Sequence, residues 1–288
     1  MAKSINVFLI DDIPTGRIKC TMQNWTGVAY KIPRKLLDEC YKSGGDITKH
    51  LKQSGIYFLI GGDGDNLSIY VGQATIRKNG DGILCRLNEH KKSKNEKYRN
   101  YWNEAICFTT TNNTFGPTEI SYLENKFTNM AIAAKRYNVL NGNEPNVGNV
   151  TEEKESELEE FIEYSKIIMG VLGHKVFEPL INEAKYEETK SQNNIRFSFV
   201  GPYKATAELT NEGFVLLKGS EIRKELINSA GKSTRKQRKL HEKDISNNMT
   251  TCDILFHSPS AASAFVAGRA SNGNVEWKTV DGKTPKDL

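Results

Sequence analysis

The sequence predicts an α/β (α+β) fold in which a small antiparallel sheet is flanked by helices, with a smaller α+β domain behind it. Two strand-like runs, Gly55–Ile60 and Ser68–Val71, are separated by a loop rich in glycine and aspartate, which is typical of a β-hairpin. Pro117 then opens a segment whose apolar residues recur at helical spacing. A chain of 288 residues can bury one large core or two smaller ones, so we expect more than one domain.

Composition and turn signals divide the chain into four segments. Thr151 is followed by a run of glutamates, which favours a helix start, and we interpret this acidic helix as a bridge between two halves. The chain turns polar after Pro179. The predicted segments are an N-terminal β extension with a helix (1–51), a central domain (52–148), the bridging acidic helix with a linker (149–194) and a C-terminal accessory domain (195–288).

Further elements are expected on either side of the hairpin. One helix leads from Arg34 through Cys40, and a second covers Ile83–Lys92. A third strand covers Glu104–Thr111, with Trp102 packed inside at its start. The apolar stripe of the helix after Pro117 consists of Ile120, Leu123, Phe127, Met130 and Ala134.

The last segment has its own pattern of strands and helix caps. Strands are predicted at Phe197–Gly201 and Ala205–Val215. Ser258 is expected to cap a short helix that ends at Gly268. Turn dipeptides then bracket a final strand carrying Val275–Trp277.

Composition excludes several classes of protein. The five cysteines are dispersed and form no CxxC pair, which indicates reduced, mostly buried thiols. No apolar run reaches the roughly 18 residues that a membrane span needs, so we expect no membrane partner. The start of the chain lacks the pattern of a signal peptide, so we expect a cytoplasmic protein. A formal net charge of +5 is compatible with a polyanionic partner but is too small to identify one.

The stretch from 55 to 124 contains the residue types that hydrolysis of a phosphodiester requires. Such a site must activate water, hold the phosphoryl oxygens and stabilise the departing oxygen. Tyr57 and Tyr70 supply phenols on neighbouring predicted strands, Arg86 supplies a guanidinium and Glu124 a carboxylate. His90 follows Arg86 by four residues, which places both on one face of a helix.

These residues carry a resemblance to a known family. Gly55-Ile56-Tyr57 and Tyr70-Val71-Gly72 resemble the GIY-YIG signature, with valine in place of the usual isoleucine. Arg86 with His90 resembles the arginine-histidine helix of that nuclease superfamily, and Tyr122-Leu123-Glu124 resembles its glutamate helix. The resemblance extends over most of the chain, because segments near each end are similar to a bacterial subgroup with a C-terminal domain of unknown function. Those segments are Asn24-Trp25-Thr26-Gly27, Pro33-Arg34, Asn141–Pro145, Ser258–Ala262, Gly268-Arg269 and Glu276–Lys278.

The resemblance implies a metal-dependent endonuclease that cleaves DNA to 5′-phosphate and 3′-hydroxyl ends. Tyr57 would be the general base, with its pKa lowered by nearby positive charge or with transient deprotonation. Arg86 would hold the phosphoryl oxygens, and Glu124 would bind one Mg²⁺ or Mn²⁺ ion. Tyr70 would bond the phosphate or the water, and His90 would act as a proton relay or orienting group. Asn141 is a further polar candidate.

Basic residues predict where DNA would lie. One set flanks the Arg86 helix, and another lies in the run 232–239 of the accessory domain. In both places a solvated surface or a polar loop is the alternative to a DNA contact. The candidate contacts are Arg77, Lys78, Lys91, Lys92 and Lys94 in the first set and Arg235, Lys236 and Arg238 in the second.

Other functions remain open at the level of the sequence. The chain could be a non-catalytic or partner-dependent nucleic-acid-binding module, or a nuclease directed at RNA. Tyr70 could be a packing residue of a strand, and His90 could be structural. The sequence does not choose among branched, damaged or phage DNA as the substrate.

Overall fold

The structure is a computed structural model that describes residues 2–63, 66–76, 82–93, 101–142, 147–180 and 195–287. The chain forms two compact units, an N-terminal unit, Met1–Glu178, and a C-terminal unit, Pro179–Leu288. Each unit contains both helices and sheet, so the predicted mixed α/β class is confirmed. Among the described residues, no helix combines the length and the apolar character needed to cross a membrane.

A sheet of seven described strands forms the centre of the N-terminal unit. The strands are β1 (Ile5–Leu9), β2 (Ile18–Met22), β3 (Gly27–Pro33), β4 (Gly55–Asp63), β5 (Asn66–Ala74), β6 (Trp102–Thr110) and β7 (Asn138–Val139). Their order across the sheet is β1-β2-β3-β6-β4-β5-β7. Every neighbouring pair is antiparallel except β5 with β7, which is parallel.

The N-terminal strands differ from the expected small extension. β3 pairs along its whole length with β6, from Gly27 opposite Thr110 to Pro33 opposite Glu104. The first three strands are therefore part of the same sheet as the central hairpin. The pairing joins segments more than seventy residues apart, and local sequence patterns carry no signal for contacts at that separation.

Within the described ranges, five helices accompany this sheet. They are α1 (Glu39–Lys42), α2 (Asp46–Leu51), α3 (Ile83–Lys92), α4 (Pro117–Ala134) and α5 (Glu152–Val171). The single helix predicted from Arg34 to Cys40 is wrong, because a 3-10 turn at Arg34–Leu36 and the short α1 take its place. Gly44 then adopts a positive φ of 64°, which separates α1 from α2.

The strands bury one core on each face of the sheet. On β4, Phe58 lies in the core that also contains Leu123 and Phe127 of α4. Its neighbour Tyr57 points to the opposite face and lies in the core that contains Leu87 of α3. This alternation follows from the two-residue period of a strand and places the two helices on opposite faces.

The acidic helix α5 packs within the N-terminal unit, although we expected a bridge between two halves. The ring of Phe161 lies 4.9 Å from that of Phe115, in the same core as Phe58. The Tyr122 hydroxyl lies 2.8 Å from a carboxylate oxygen of Glu155 and 2.7 Å from one of Glu159, and its one proton can be donated to either. The carboxylates of α5 thus bond to α4, and its apolar face adds to the core beneath the sheet.

The C-terminal unit is built on a second, smaller sheet. The described strands of this unit are β8 (Ile195–Phe199), β9 (Thr206–Thr210), β10 (Gly213–Leu216), β11 (Ile245–Ser246), β12 (Met249–Thr250), β13 (Ile254–Phe256) and β14 (Trp277–Lys278). Five of them form an antiparallel sheet in the order β13-β10-β9-β8-β14, and β11 pairs with β12. Its described helices are α6 (Lys232–Leu240), α7 (Pro259–Ala267) and α8 (Gly273–Glu276).

Two predictions about this unit have different outcomes. The capped helix is confirmed, because the Ser258 hydroxyl accepts from the Ala261 N–H and Gly268 ends α7 in the left-handed region. The final strand is partly wrong, because Val275 lies in α8 and the strand begins at Trp277. The Asn272 side chain accepts from the Asn274 N–H and so starts a helical turn there.

Replacing Phe58 with alanine tests the core on the α4 side of the sheet. Phe58 is fully buried and contacts the rings of Phe108, Phe127 and Phe177. We expect Phe58→Ala to lower the free energy of unfolding of the N-terminal unit by roughly 3–5 kcal/mol. Urea denaturation, with hydrogen exchange as the probe of the N-terminal unit, measures this free energy. Leu67→Ala, at an exposed position, is the control and should change stability by less than about 0.5 kcal/mol. Equal losses of stability in the two variants would contradict the assignment of Phe58 to the buried core.

Candidate active site

Three of the predicted site residues meet on one face of the sheet. Tyr57 on β4 and Tyr70 on β5 have ring centroids 6.3 Å apart. The imidazole of His90 lies against both rings, 5.5 Å from that of Tyr57 and 5.2 Å from that of Tyr70. A hydrogen bond of 2.9 Å joins the Tyr57 hydroxyl to His90 Nε2. Residues 33 positions apart in the sequence therefore form one polar pair.

Helix α3 delivers His90 to the strands because His90 lies on the same face as its apolar residues. Ile83, Leu84 and Leu87 are fully buried against the sheet. The Tyr41 hydroxyl donates to the Leu84 carbonyl at 3.2 Å and ties the helix to α1. His90 lies in the last turn of the helix.

A glycine on β5 allows the Tyr57 ring to lie where it does. Gly72 is the register partner of Tyr57 across the hairpin. A Cβ atom at position 72 would lie 2.4 Å from both Cζ and Oη of Tyr57, a separation too short for any real Cβ atom. Glycine is therefore required at position 72 on steric grounds, because any side chain there would occupy the space that the phenol of Tyr57 fills.

Glu124 reaches the same end of β5 from the opposite face. It lies on α4, and its carboxylate accepts a hydrogen bond of 2.8 Å from the side-chain amide of Gln73. The Ser121 hydroxyl donates to the carbonyl oxygen of the same amide at 3.3 Å. The charges of Arg86 and Glu124 also affect the pKa of Tyr57, and the charge of Arg86 affects the pKa of Glu124. Glu124 therefore contacts β5 at Gln73, the residue after Gly72, on the face of the sheet opposite the two phenols.

Sequence reasoning missed Gln73. It is two residues beyond Val71 on β5, and strand alternation places it on the face of the sheet that α4 covers. Its amide holds Glu124 through the nitrogen and accepts from Ser121 through the oxygen. The signal in the sequence is a carboxamide one position after the Tyr70-Val71-Gly72 segment, which by itself is ordinary.

Arg86 lies at the mouth of a cleft beside this strand end. The cleft has a volume of about 240 Å³ and is lined by Gln73, Ala74, Thr75 and Arg86. The guanidinium forms an ion pair of 2.7 Å with Glu89 one turn later on α3. Both side chains are 42% exposed, so the guanidinium is open to an incoming anion.

The pKa of Tyr57 differs from the expected direction. Burial raises the pKa of this phenol well above its usual value, and the nearby Tyr70 adds to the rise, while Arg86 opposes it. Of the two expected routes, a lowered pKa is not found in the free protein, because burial outweighs the lowering by Arg86, and transient deprotonation stays a prediction. Tyr57 is 1% exposed, so the desolvation of a phenolate outweighs the attraction of one partly exposed guanidinium. Tyr57 is a neutral hydroxyl.

His90 and Glu124 also have shifted pKa values. Burial, with Arg86 adding to it, lowers the pKa of His90 to about 4, so the imidazole is neutral at physiological pH. In the Nδ1–H tautomer its Nε2 atom accepts a hydrogen bond from the Tyr57 hydroxyl. Burial raises the pKa of Glu124, while the Gln73 amide and Arg86 oppose the rise. The hydrogen bond from Gln73 and the positive charge of Arg86 stabilise the carboxylate less than its burial destabilises it.

One divalent ion beside Glu124 is consistent with these residues. Within the described ranges, no group of three or more His, Cys, Asp or Glu side chains is placed to hold a metal ion. Mg²⁺ keeps several waters and is commonly bound through one or two carboxylates together with substrate phosphates. A single carboxylate with a raised pKa and a neutral amide partner fits such an ion, which would supply further positive charge.

Asn141 supports the strand that carries Tyr70. Its side-chain oxygen accepts from the Val71 N–H at 3.1 Å, and its side-chain nitrogen donates to the Val71 carbonyl at 2.8 Å. Both polar groups of the Asn141 side chain are thus used by backbone. We interpret Asn141 as a residue that positions β5, in place of the further polar group expected at the site.

The basic residues around α3 have different positions. Lys91 forms an ion pair of 2.8 Å with Asp38, so its ammonium already has an anionic partner. Lys92 is exposed at the end of α3. The remaining predicted contacts, Arg77, Lys78 and Lys94, lie outside the described residues.

The basic run of the C-terminal unit is a helix, α6. Arg238 donates from Nε to the Phe265 carbonyl and from a terminal nitrogen to the Arg223 carbonyl, and burial lowers its pKa to about 10. Arg235 donates to the carbonyls of Ala230 and Ile227. Both arginines hold backbone of their own unit, so we interpret them as structural residues in place of DNA contacts. Lys236 is exposed and remains a candidate contact.

Comparison with known proteins bears on the C-terminal unit. Residues 195–288, the last 94 of the chain, match a family described as a domain of unknown function, DUF4357. No curated protein matches this chain, and no solved structure matches it either. The similarity to DUF4357 covers the segment that carries α6 and assigns no activity to it.

Adding a methyl group at Gly72 tests the steric basis of the Tyr57–His90 pair. We expect Gly72→Ala to displace the Tyr57 ring, to break its hydrogen bond to His90 and to lower stability by about 1–3 kcal/mol. The nitrogen chemical shifts of the His90 ring report the bond, and urea denaturation reports the stability. Gly142→Ala is the control, because no atom lies within 4 Å of a Cβ there. Unchanged His90 shifts in Gly72→Ala would refute the steric account.

The lowered pKa of His90 predicts a dependence of stability on pH. The unfolded chain protonates this histidine below about pH 6.5, whereas the folded protein protonates it only near pH 4. The stability from neutral His90 is therefore present above pH 6.5 and is lost as the pH falls towards 4. Across this pH range we expect the free energy of unfolding of His90→Gln to fall by roughly 1–2 kcal/mol less than that of the wild type, allowing for solvent screening. Urea denaturation at several pH values measures the difference, and parallel curves would contradict it.

Proposed function

We propose that the N-terminal unit is a metal-dependent endonuclease of GIY-YIG type that hydrolyses phosphodiester bonds of DNA. The observation that carries the proposal is the arrangement near the end of β5. The Tyr57 hydroxyl is bonded to His90, Arg86 lines a cleft together with Gln73, and Glu124 is bonded to the same Gln73. The residue types are those that the GIY-YIG resemblance requires, and separate strands and helices bring them together.

The Tyr57–His90 pair supports the activation of water. A neutral phenol with a raised pKa is a poor base by itself, but its hydroxyl is bonded to a neutral imidazole. The attacking water gives a proton to the Tyr57 oxygen while the Tyr57 proton passes to His90 Nε2. The phenol is then unchanged and the imidazole carries the positive charge, so no buried phenolate forms, and the anionic phosphodiester offsets part of the cost of the buried imidazolium. This assigns the role of proton acceptor to His90.

Arg86 and Glu124 support the charge changes at phosphorus. The guanidinium is partly exposed and offers paired N–H donors to phosphoryl oxygens, in exchange for Glu89. Glu124, held by Gln73, is the residue that would bind one Mg²⁺ or Mn²⁺ ion. When bound, that ion supplies positive charge to the departing 3′ oxygen. Tyr70, against the His90 ring, faces the same space and would bond the phosphate or the water.

Replacing Glu124 with glutamine separates catalysis from folding. We expect Glu124→Gln to lower plasmid cleavage by roughly 10²–10³-fold or more, because the metal-binding charge is lost. Burial raises the pKa of Glu124, so the stability it contributes is present at low pH and is lost as the pH rises through the folded pKa. The variant should therefore melt at the same temperature as the wild type at pH 7, or higher. Glu160→Gln, an exposed carboxylate of α5, is the matched control.

The assay uses supercoiled plasmid, branched DNA, single-stranded DNA and RNA, with Mg²⁺, with Mn²⁺ and with EDTA. Cleavage of DNA that needs the metal and leaves 5′-phosphate ends supports the proposal. Faster cleavage of RNA would replace DNA by RNA as the substrate. A folded protein that binds these polymers and cleaves none of them would instead identify a non-catalytic binding module.

A further inference from the structure

Charge is distributed unevenly along the chain. Residues 195–288 contain fifteen Lys and Arg against ten Asp and Glu, a formal net charge of +5. Residues 1–194 contain 25 of each sign and are neutral. The whole net positive charge of the protein therefore belongs to residues 195–288, which include none of the proposed catalytic residues.

Helix α6 concentrates part of this charge on one face. Lys232, Lys236 and Lys239 are spaced four and three residues apart, which places them in one row along the helix. All three are exposed. The row is about 10 Å long, from a rise of 1.5 Å per residue. We call these three residues the lysine row.

The arginines of the same helix fix its orientation. The Arg238 guanidinium lies 4.8 Å from the Phe265 ring centre and donates to two backbone carbonyls, and Arg235 donates to two others. Thr234 is buried on the same side. The helix is therefore held to its unit by arginine, and the lysine row faces outward.

The lysine row has no anionic partner within the described part of the chain, and this sets it apart from many lysines of the N-terminal unit. Seven lysines there form ion pairs with carboxylates. Those pairs are Lys19–Asp46, Lys31–Glu104, Lys42–Glu39, Lys91–Asp38, Lys126–Glu159, Lys154–Glu157 and Lys166–Glu163. Three ammonium groups held in a row without carboxylates are suited to an external polyanion.

We propose that the lysine row is a DNA-backbone contact through which the C-terminal unit binds duplex DNA without regard to sequence. Duplex DNA carries one negative charge per roughly 1.7 Å of its axis, so a row of about 10 Å spans enough phosphates for each lysine. Lysine is a flexible point charge that contacts phosphate and does not read base edges. A membrane surface is disfavoured, because α6 has no exposed large apolar residue to enter a bilayer.

Salt-dependent binding by the full chain tests this surface apart from cleavage. Fluorescence anisotropy with a labelled duplex of random sequence is measured between about 50 and 200 mM salt, in the Glu124→Gln background. We expect the triple replacement of Lys232, Lys236 and Lys239 by glutamine to weaken binding by roughly 10–100-fold. The slope of log affinity against log salt should fall by about 2–3, or about 0.9 for each phosphate that is no longer neutralised.

The matched control removes the same charge elsewhere in the unit. Lys204, Lys278 and Lys283 are exposed, and their triple replacement by glutamine should change the slope by less than about 1. Equal losses in the two triple variants would overturn the proposal in favour of net charge alone, and so would no loss in either. Binding of phosphatidylserine vesicles that depends on the lysine row, with no binding of DNA, would also overturn it. Because binding is measured without cleavage, a failed nuclease assay leaves this result unaffected.

Discussion

The close approach of the Tyr57 ring to the backbone of Gly72 is the constraint on which the candidate site depends. Antiparallel pairing sets these two residues opposite each other, and the missing side chain at position 72 lets the ring lie over β5. In that position the hydroxyl meets His90 on α3. The hairpin register, the glycine and the helix are thus parts of one geometric requirement, and a change in any of them would move the phenol.

The sequence predicted the parts of the site that depend on local geometry. Tyr57 and Tyr70 belong to one hairpin, and Arg86 and His90 are one helical turn apart, so short-range periodicity placed both pairs. It did not predict the raised pKa of Tyr57, because burial depends on packing from elements distant in the sequence. Pairing of β3 with β6 was missed for the same reason. The contact of Gln73 with Glu124 of α4, 51 residues away in the sequence, also has no local signature.

The basic run of the C-terminal unit shows how helical phase decides the role of a charge. In the sequence alone, the lysines and arginines between 232 and 239 are equivalent cations. The run could therefore be interpreted either as a polar loop or as a DNA contact. In the helix, Arg235 and Arg238 turn towards backbone carbonyls while Lys236 turns to solvent. The guanidinium can donate in several directions at once, so it suits the task of joining segments. The lysine ammonium groups stay in solvent, where they can attract anionic groups of other molecules.

The Asn141 side chain has a further consequence for the edge of the large sheet. A carboxamide offers the same donor and acceptor as a peptide group, and here both are bonded to Val71. It takes the place of a strand neighbour just beyond the short β7. Unsatisfied N–H and C=O groups at a sheet edge attract strands of other molecules and promote aggregation. By occupying them, one asparagine protects the strand that carries Tyr70 from self-association at that point.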